Sequence, residues 1–416
     1  MNSTTMQIFW TLICSFLVIM MQVGLAMVAT GFTRAKNAGH TMATTMMIAA
    51  IGALGYWAAG YALQTGTGAF FLSDIPAETL CIFVFQAMLV NIAATVPTGA
   101  MAERWAFKSF IVYGFFMTMF TYPLYARWVW NGGWLSQLGR IYGLGHGVLD
   151  FAGSSVVHMA GGVSALAGAM VIGPRMGKYK GDGTPGAIPG HHIPMAIIGC
   201  MLLFFGWFGF TSGQAAIGGD FQVGLIAVNT LLAAAGGAFS ALCYMWFFYG
   251  RPDLSLSANG LLGGLVAISA SCAFVNPFAA VLIGICAGIL CCACVFFIER
   301  TCRIDDPAGA ISVHGACGAW GLLSLGFFAD GKYGNGLNSV SGTVKGLFYG
   351  GASQLAAQCC GVLACFLFVF AVMFTFFKVL DRITPLRVPE EVEFEGLDQN
   401  EVSVVAYPDF NTKSRR

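Results

Sequence analysis

Residues 150–162 read DFAGSSVVHMAGG, which places an aspartate and a histidine inside one of the most apolar regions of the chain. A second stretch, residues 306–318, reads DPAGAISVHGACG. Both stretches follow the pattern D-x-A-G-x-x-x-V-H-x-A-x-G without a gap. A match at so many fixed positions indicates an internal duplication.

The composition identifies the solvent for which the chain is built. Hydrophobic residues make up 57% of the sequence and charged residues only 9%, with a mean hydropathy of +0.75. Soluble domains carry about a quarter charged residues, so this composition predicts a membrane protein. The net charge of +1 gives no support to nucleic-acid binding. Most of the 14 cysteines lie in apolar runs, which is typical of small buried hydrophobic residues rather than of metal ligands or disulfides.

Apolar stretches of roughly 20 residues predict an all-α integral membrane protein with eleven transmembrane helices. The predicted spans are 8–31, 42–63, 79–101, 108–127, 151–173, 193–211, 222–248, 257–275, 277–299, 310–328 and 350–378. The first span lacks a basic segment before it and is too long for a signal peptide, so it is counted as a helix.

Basic residues predict the orientation of these helices. Sixteen of the twenty Lys and Arg residues follow odd-numbered spans or lie in the C-terminal tail. The four exceptions are Arg127, Arg140, Lys332 and Lys345. Because positively charged loops stay in the cytoplasm, the N-terminus is predicted outside and the C-terminus in the cytoplasm.

This topology makes the duplicated motif antiparallel across the bilayer. Residues 8–173 and 193–328 are then two inverted five-helix repeats, followed by a long last helix near 350–378. Each histidine lies eight residues after its aspartate, or about 12 Å along a helix. Half of a hydrocarbon core is about 15 Å, so His158 and His314 are predicted to meet near the midplane.

The four polar residues of the motif allow more than one interpretation. Asp150 and Asp306 are expected mainly to cap helix starts, with direct ligand contact as the alternative. An ionisable side chain inside a membrane is costly and usually faces a pathway, so the histidines are expected to form a functional pair. The alternative is that the pair binds haem or a metal. No further residue of a ligand type is expected at that depth, and this does not favour the alternative.

A pathway with two imidazoles and almost no other polar group restricts what can pass. No charged side chain near the midplane could compensate a cation stripped of its water. A small neutral molecule that donates and accepts hydrogen bonds fits better, and a proton could travel separately along the imidazoles.

Several motifs together resemble the Amt/Mep/Rh family of ammonium transporters, on the Amt side. They are RAKN, GAMAER, WVWNGGWL, DFAGSSVVH, GWFGFTSG, IDDP and VHGACG, and they extend over nearly the whole chain. The resemblance implies eleven helices in two inverted halves, a homotrimer in the plasma or inner cell membrane, and one pore per subunit without a cofactor or metal. It also implies that His158 and His314 are the twin histidines of the pore.

The same resemblance assigns an outer ammonium site and gate. Trp130 matches the aromatic residue of the external site, where its face attracts a cation by about 0.5–2 kcal/mol. Phe210 matches a gate phenylalanine, and Phe85 matches an aromatic residue of the third span. The alternative for each aromatic is a lipid-facing belt residue. Leu89 replaces a second gate phenylalanine, and Gln214 replaces a serine that usually contacts ammonium.

Residues 1–378 form the predicted membrane domain, and residues 379–416 form a cytoplasmic tail. The tail sequence EGLDQNEVSVVAY resembles a regulatory segment that packs under a neighbouring subunit and meets PII-type proteins. A disordered solvated end is the alternative. Conduction of ammonia or ammonium is therefore the leading prediction. An ammonium-binding sensor and a redox protein with histidine ligands are the two others.

Overall fold

The computed structural model describes residues 3–218 and 222–410, and throughout these ranges the regular structure is helical. Long helices form where the sequence is continuously apolar, because a membrane offers no partner for an unpaired backbone group. The helices are α1 Ser3–Phe32, α2 Ala38–Gly55, α3 Tyr61–Thr65, α4 Leu80–Ala100, α5 Phe107–Phe116, α6 Tyr122–Trp130, α7 Leu138–Tyr142, α8 Ala160–Ile172, α9 Ile193–Gly218, α10 Val223–Tyr249, α11 Leu254–Ile268, α12 Pro277–Phe296, α13 Cys317–Phe328, α14 Ala352–Ile383, α15 Glu390–Glu395 and α16 Leu397–Val402.

Within the described residues, nine helical segments are long and apolar enough to cross a membrane. They are Thr4–Phe32, Ala35–Thr65, Ala77–Ala100, Ser154–Ile172, Ile193–Ala215, Val223–Tyr249, Pro277–Thr301, Ile311–Phe328 and Ala352–Ile383. Each coincides with a predicted span, so the chain is a multi-pass membrane protein. The two remaining predicted spans correspond to the segment from α5 to α6 and to α11, which is only 15 residues long. Eleven crossings and their orientation therefore stay predictions.

The predicted span 257–275 is longer than the helix that forms there. The helix α11 ends at Ile268, and residues 269–275 form turns and a bend. The Ser154 hydroxyl donates to the Val266 carbonyl oxygen at 2.6 Å and accepts from the Ala270 amide at 2.7 Å. It thus occupies the position of a helical hydrogen bond between those two residues, which breaks the ladder.

Within residues 3–218 and 222–410, five single turns of π-helix interrupt, begin or end the long helices. They are Tyr56–Gly60, Met117–Thr121, Ser154–Met159, Phe297–Thr301 and Ile311–Ala316. Such wide turns are rare and are frequent at functional sites. Two of the five carry His158 and His314.

The packing of the helices relates the two predicted repeats. The first helix of each repeat, α1 and α9, form the most extensive contact in the bundle. Gly24 and Gly199 allow their close approach, because a Cβ at either position would lie 2.7 Å from the other's carbonyl oxygen. In the first half α4 packs on α8, and in the second half α11 packs on α13. This correspondence is what inverted repeats would produce, and the repeats remain a proposal.

Large apolar side chains are exposed along the outside of the bundle. Their exposed fractions are 60% for Phe16, 67% for Phe239, 55% for Phe205 and 64% for Leu367. In water such a surface would be an aggregation hazard, whereas in a bilayer it contacts lipid. The 14 cysteines all carry free thiols.

The tail is folded against the rest of its own chain as far as Tyr407, whose hydroxyl lies 2.8 Å from Nε2 of His191. Its carboxylates accept hydrogen bonds from backbone amides elsewhere: Asp398 from His40 at 2.8 Å, and Glu401 from Phe107 at 2.7 Å. These amides belong to the first turns of α2 and α5, so the tail caps two helices. The alternative of a disordered tail is therefore wrong for residues 384–407, and residues 411–416 lie outside the described part.

Candidate functional site

The two copies of the duplicated motif fold in the same way. The Asp150 carboxylate accepts from the amides of Gly153, Ser155 and Val156 at 2.7–3.0 Å, and from the Ser155 hydroxyl. The Asp306 carboxylate accepts from two amides, those of Ala310 at 2.9 Å and Ile311 at 2.7 Å. Both carboxylates thus satisfy the free donors at the start of the π-helical turns that carry the histidines.

The histidines of the two copies meet inside the bundle. The Nδ1 atoms of His158 and His314 are 3.2 Å apart, and the ring centroids are 5.2 Å apart. The exposed fractions are 0% and 6%. Two Nδ1 atoms can share one hydrogen bond only if one carries the proton and the other accepts it. The pair therefore requires two neutral rings in opposite tautomers, or a single proton shared between them.

Two aromatic rings pack against His158. The ring of Trp207 stacks on that of His158 with centroids 4.9 Å apart, and the Phe210 ring is 5.3 Å away. The Nε2 atom of His158 is buried and has no hydrogen-bond partner among the described residues. It is consequently the one ring nitrogen of His158 that a small molecule could contact.

Glycines at the last motif position allow the two copies to touch. A Cβ at Gly162 would lie 2.1 Å from the amide nitrogen of Gly315. In the other copy, a Cβ at Gly318 would lie 2.9 Å from the amide nitrogen of Met159. Gly315 and Met159 each follow a histidine directly. Only residues without a side chain permit this backbone contact, which sets how closely the imidazoles approach.

The residues predicted for the outer site lie on the helices around this pair. Phe85 and Leu89 are both fully buried, one turn apart on α4. The Phe85 ring packs against Gly213 of α9, next to Gln214. Phe210 is also fully buried. A lipid-facing belt position is therefore wrong for both phenylalanines.

Trp130 ends α6 and is partly buried. Its indole Nε1 donates to the carbonyl oxygen of Asp150 at 2.6 Å, so the ring is tied to the start of the first motif copy. Gln214 is partly buried, and its Oε1 atom has no partner within the described residues. The amide of Gln214 thus keeps an acceptor that the described residues do not use.

Two cavities lie on the tail side of the histidines. A small one of about 30 Å³ is lined by His314, Thr95, Thr98 and Asn259. A larger one of about 180 Å³ includes Asn259 again, together with Asp306. The first has room for at least one water-sized molecule. Together they lead away from His314 toward the loops that carry most basic residues.

A buried ionic network closes the tail side, and sequence reasoning did not predict it. Arg175 pairs with Glu103 at 2.7 Å and with Asp305 at 2.8 Å, and Arg34 also pairs with Glu103. Burial alone would raise the pKa of Asp305, but the charge of Arg104 and the hydrogen bonds and charge of Arg175 lower it to about 2. The basic residues of the loops predicted only the orientation of the helices across the membrane. No local sequence pattern indicated which carboxylates these residues would pair with.

A metal site is not formed by the described residues: they contain no group of three or more His, Cys, Asp or Glu side chains placed to hold an ion. The histidine pair instead directs its Nδ1 atoms at each other. This geometry favours hydrogen bonding between the rings.

The chain is similar to known proteins over almost its whole length. The family model described as Ammonium Transporter Family matches residues 9–407. Ammonium transporter Amt2 from Archaeoglobus fulgidus is 42% identical over 413 residues, covering 96% of this chain and 88% of that protein. Ammonium transporter 1 member 3 from Solanum lycopersicum is 35% identical, covering 96% of this chain and 92% of that protein.

Solved structures give the same answer for the fold. A structure titled "Sensor Amt Protein" matches with a TM-score of 0.87 and 33% identity, covering 96% of this chain and 99% of that chain. The crystal structure of Candida albicans Mep2 matches with a TM-score of 0.82 and 27% identity, covering 92% and 86%.

Proposed function

The chain belongs to the ammonium transporter family, a family of transport proteins, and on that premise we propose that it moves ammonium or ammonia across a cell membrane. The path runs from an outer aromatic site at Trp130, past Phe210, to the paired histidines. The observation that carries this proposal is the contact of 3.2 Å between Nδ1 of His158 and Nδ1 of His314, two buried imidazoles from the two copies of one motif.

The surroundings of the pair favour passage of a neutral molecule. In the nine spans, charged side chains occur only toward the helix ends, at Lys36, Glu78, Glu299, Arg300, Lys378, Asp381 and Arg382. An ammonium ion stripped of water beside the histidines would have no anion to compensate it. Ammonia needs only one or two hydrogen bonds, which neutral imidazoles can give and accept.

Deprotonation is therefore placed near the outer end, before the aromatic rings. The face of Trp130 attracts the cation, and the indole is held in place by the Asp150 carbonyl oxygen. The released proton can then follow the neutral molecule along the two Nδ1 atoms, because their hydrogen bond can be reversed by exchanging tautomers. Transport by this route carries charge.

Asp150 and Asp306 act in this proposal as structural supports. Their carboxylates are engaged with the backbone amides of the motif turns. They hold the histidines in position without meeting the substrate.

The test is transport by the purified protein in proteoliposomes under an ammonium gradient, with current and ammonium uptake measured in parallel. Wild type is expected to carry current. Replacing both histidines by leucine should abolish the current and leave some neutral uptake. A double variant with undiminished current would disprove the proton relay, and wild type with neither current nor uptake would disprove transport.

An ammonium sensor is the second candidate, and two observations favour it. Leu89 and Gln214 stand where the family resemblance places a phenylalanine and a serine, and one similar structure is titled "Sensor Amt Protein". A sensor would bind ammonium in calorimetry while the same preparation shows no flux. Ordinary flux would exclude a sensor that does not transport.

Assembly and regulation are further parts of the proposal. We place the protein in the plasma or inner membrane, as a homotrimer surrounded by lipid. A PII-type regulatory protein would meet the tail side, where α16 is docked by Asp398 and Glu401. Crosslinking in membranes would give the number of subunits, and co-purification with a PII-type protein would test the partner.

A further inference from the structure

The segment Gly334–Val340, between α13 and α14, is fixed onto the bundle. Its Gly336 amide donates to the Val340 carbonyl oxygen at 2.8 Å, and Leu337 is fully buried. Gly334 lies against the ring of Phe274, where a Cβ would be 2.1 Å from a ring carbon. This segment also packs against α9, the helix that carries Phe210 and Gln214. A loop anchored in this way can hold a side chain in one position.

Asn338 is the residue that this anchored loop presents to the outer site. Its backbone has a φ of 49°, a left-handed conformation that asparagine tolerates better than most residues. Its Nδ2 donates to the Asp150 carbonyl oxygen at 3.2 Å. The same oxygen accepts from the Trp130 indole at 2.6 Å. Asn338 and Trp130 therefore meet on one atom, although they are far apart in the sequence.

The other half of this side chain is unused. The Oδ1 atom of Asn338 is buried and finds no partner within the described ranges, as is true of Oε1 of Gln214. A buried carbonyl oxygen without a donor is costly, and each such atom in a native protein calls for an explanation. Both oxygens lie on elements that pack together at the outer end of the proposed path.

We propose that Asn338 is a specificity-determining residue of the outer site, where its carboxamide oxygen and that of Gln214 accept hydrogen bonds from an ammonium ion held on the face of Trp130. The inference rests on the proposed function and adds to it a residue from a different loop. The indole face supplies attraction for any small cation. The two oxygens add directional acceptors, which only a cation rich in N–H groups can satisfy.

This arrangement predicts discrimination against methylated amines. Ammonium carries four N–H donors, and each methyl group removes one donor and adds bulk. An amine that cannot satisfy both oxygens leaves a buried acceptor unpaired, which lowers affinity by about tenfold or more. Methylammonium keeps three donors, enough for the two oxygens, but it can reach both only in orientations that turn its methyl group away from them. Asn338 thus favours ammonium, which presents donors in every direction, whereas the indole alone would distinguish the two cations poorly.

The experiment compares Asn338→Gly with Ser339→Gly by calorimetry, using ammonium and methylammonium as probes. Glycine suits both left-handed positions, since φ is 49° at Asn338 and 60° at Ser339, and Ser339 is exposed. Asn338→Gly is expected to weaken ammonium binding about tenfold, with a smaller change for methylammonium. Ser339→Gly is expected to bind both like wild type.

Asn338→Asp supplies a variant that keeps an oxygen acceptor at this position. It is expected to bind ammonium at least as tightly as wild type. If Asn338→Gly binds ammonium as tightly as wild type, the inference is overturned and the Oδ1 atom of Asn338 is assigned a bound water as its partner. Loss of ammonium binding in Asn338→Asp would also overturn the inference. Wild-type flux in proteoliposomes, measured in parallel, separates this failure from failure of the transport proposal.

Discussion

Replacing Gly162 by alanine is expected to separate the two histidines. The new Cβ would lie 2.1 Å from the amide nitrogen of Gly315 and 2.4 Å from its Cα. Both are main-chain atoms inside a helix, so no side-chain rotation can relieve the overlap. Carbon atoms in ordinary contact are about 3.5–4.0 Å apart, so the two backbones must part by more than about 1 Å.

The consequence follows from the position of His314, the residue directly before Gly315. A shift of this size lengthens the Nδ1–Nδ1 distance from 3.2 Å to beyond hydrogen-bond range. Overpacking of this kind costs about 1–3 kcal/mol of stability. A misplacement of about 1 Å in a reacting pair can lower a rate by up to about a hundredfold. The ammonium current is therefore expected to fall at least about tenfold.

Gly315→Ala is the matched control. A Cβ at Gly315 would lie 3.5 Å from the carbonyl carbon of Gly162 and 3.6 Å from its Cα, which is ordinary contact. Alanine also favours a helix over glycine by about 1 kcal/mol. This variant is expected to keep the current and the thermal stability of wild type, although it changes the neighbouring residue of the same interface.

The assay records ammonium current in proteoliposomes and the midpoint of thermal unfolding in detergent for both variants. A Gly162→Ala protein with wild-type current and stability would refute the argument. Equal damage from Gly315→Ala would do so as well, because it would show that the interface tolerates no methyl group at all.

Three further outcomes are expected. Trp130→Leu should weaken ammonium binding about tenfold, measured by calorimetry, because the cation loses its aromatic face; an unchanged affinity would place recruitment elsewhere. Asp305→Asn should lower stability by about 2 kcal/mol at pH 7 in chemical denaturation. The folded-state pKa of Asp305 is about 2, below the ordinary 3.8, so this contribution is complete above pH 4 and disappears as pH falls through 2. The difference in free energy of unfolding between wild type and Asp305→Asn must therefore vanish near pH 2. Asp398→Ala should remove a cap from α2 and release the tail to proteases, with about 1 kcal/mol lost; a tail still resistant to limited proteolysis would contradict the docking contact.

Local patterns in the sequence were sufficient for most of the membrane architecture. Apolar runs of about 20 residues must form helices in a bilayer, so nine predicted spans overlap the nine long apolar helical segments, with ends that differ by up to seven residues. The duplicated motif predicted that His158 and His314 enter from opposite sides to the same depth. That inference needed only the rise per residue of a helix and the thickness of a membrane.

Other features depend on contacts between residues far apart in the chain. The end of α11 at Ile268 depends on a hydroxyl from Ser154, more than 100 positions earlier. The ionic network of Glu103, Arg175 and Asp305 joins three loops, and nothing in any one loop identifies its partners.

The duplicated motif illustrates the same division within one site. Its aspartate, glycine and histidine could be recognised from the sequence, because capping and helix geometry are local. The distance of 3.2 Å between the two Nδ1 atoms could not be predicted from the sequence. It results from the close contact of a glycine in one copy with the backbone of the other copy. The sequence by itself was enough to predict that two imidazoles lie at equal depth in an apolar bundle. Only the tertiary structure, by close packing of two helices more than 150 residues apart in the chain, decided that they touch.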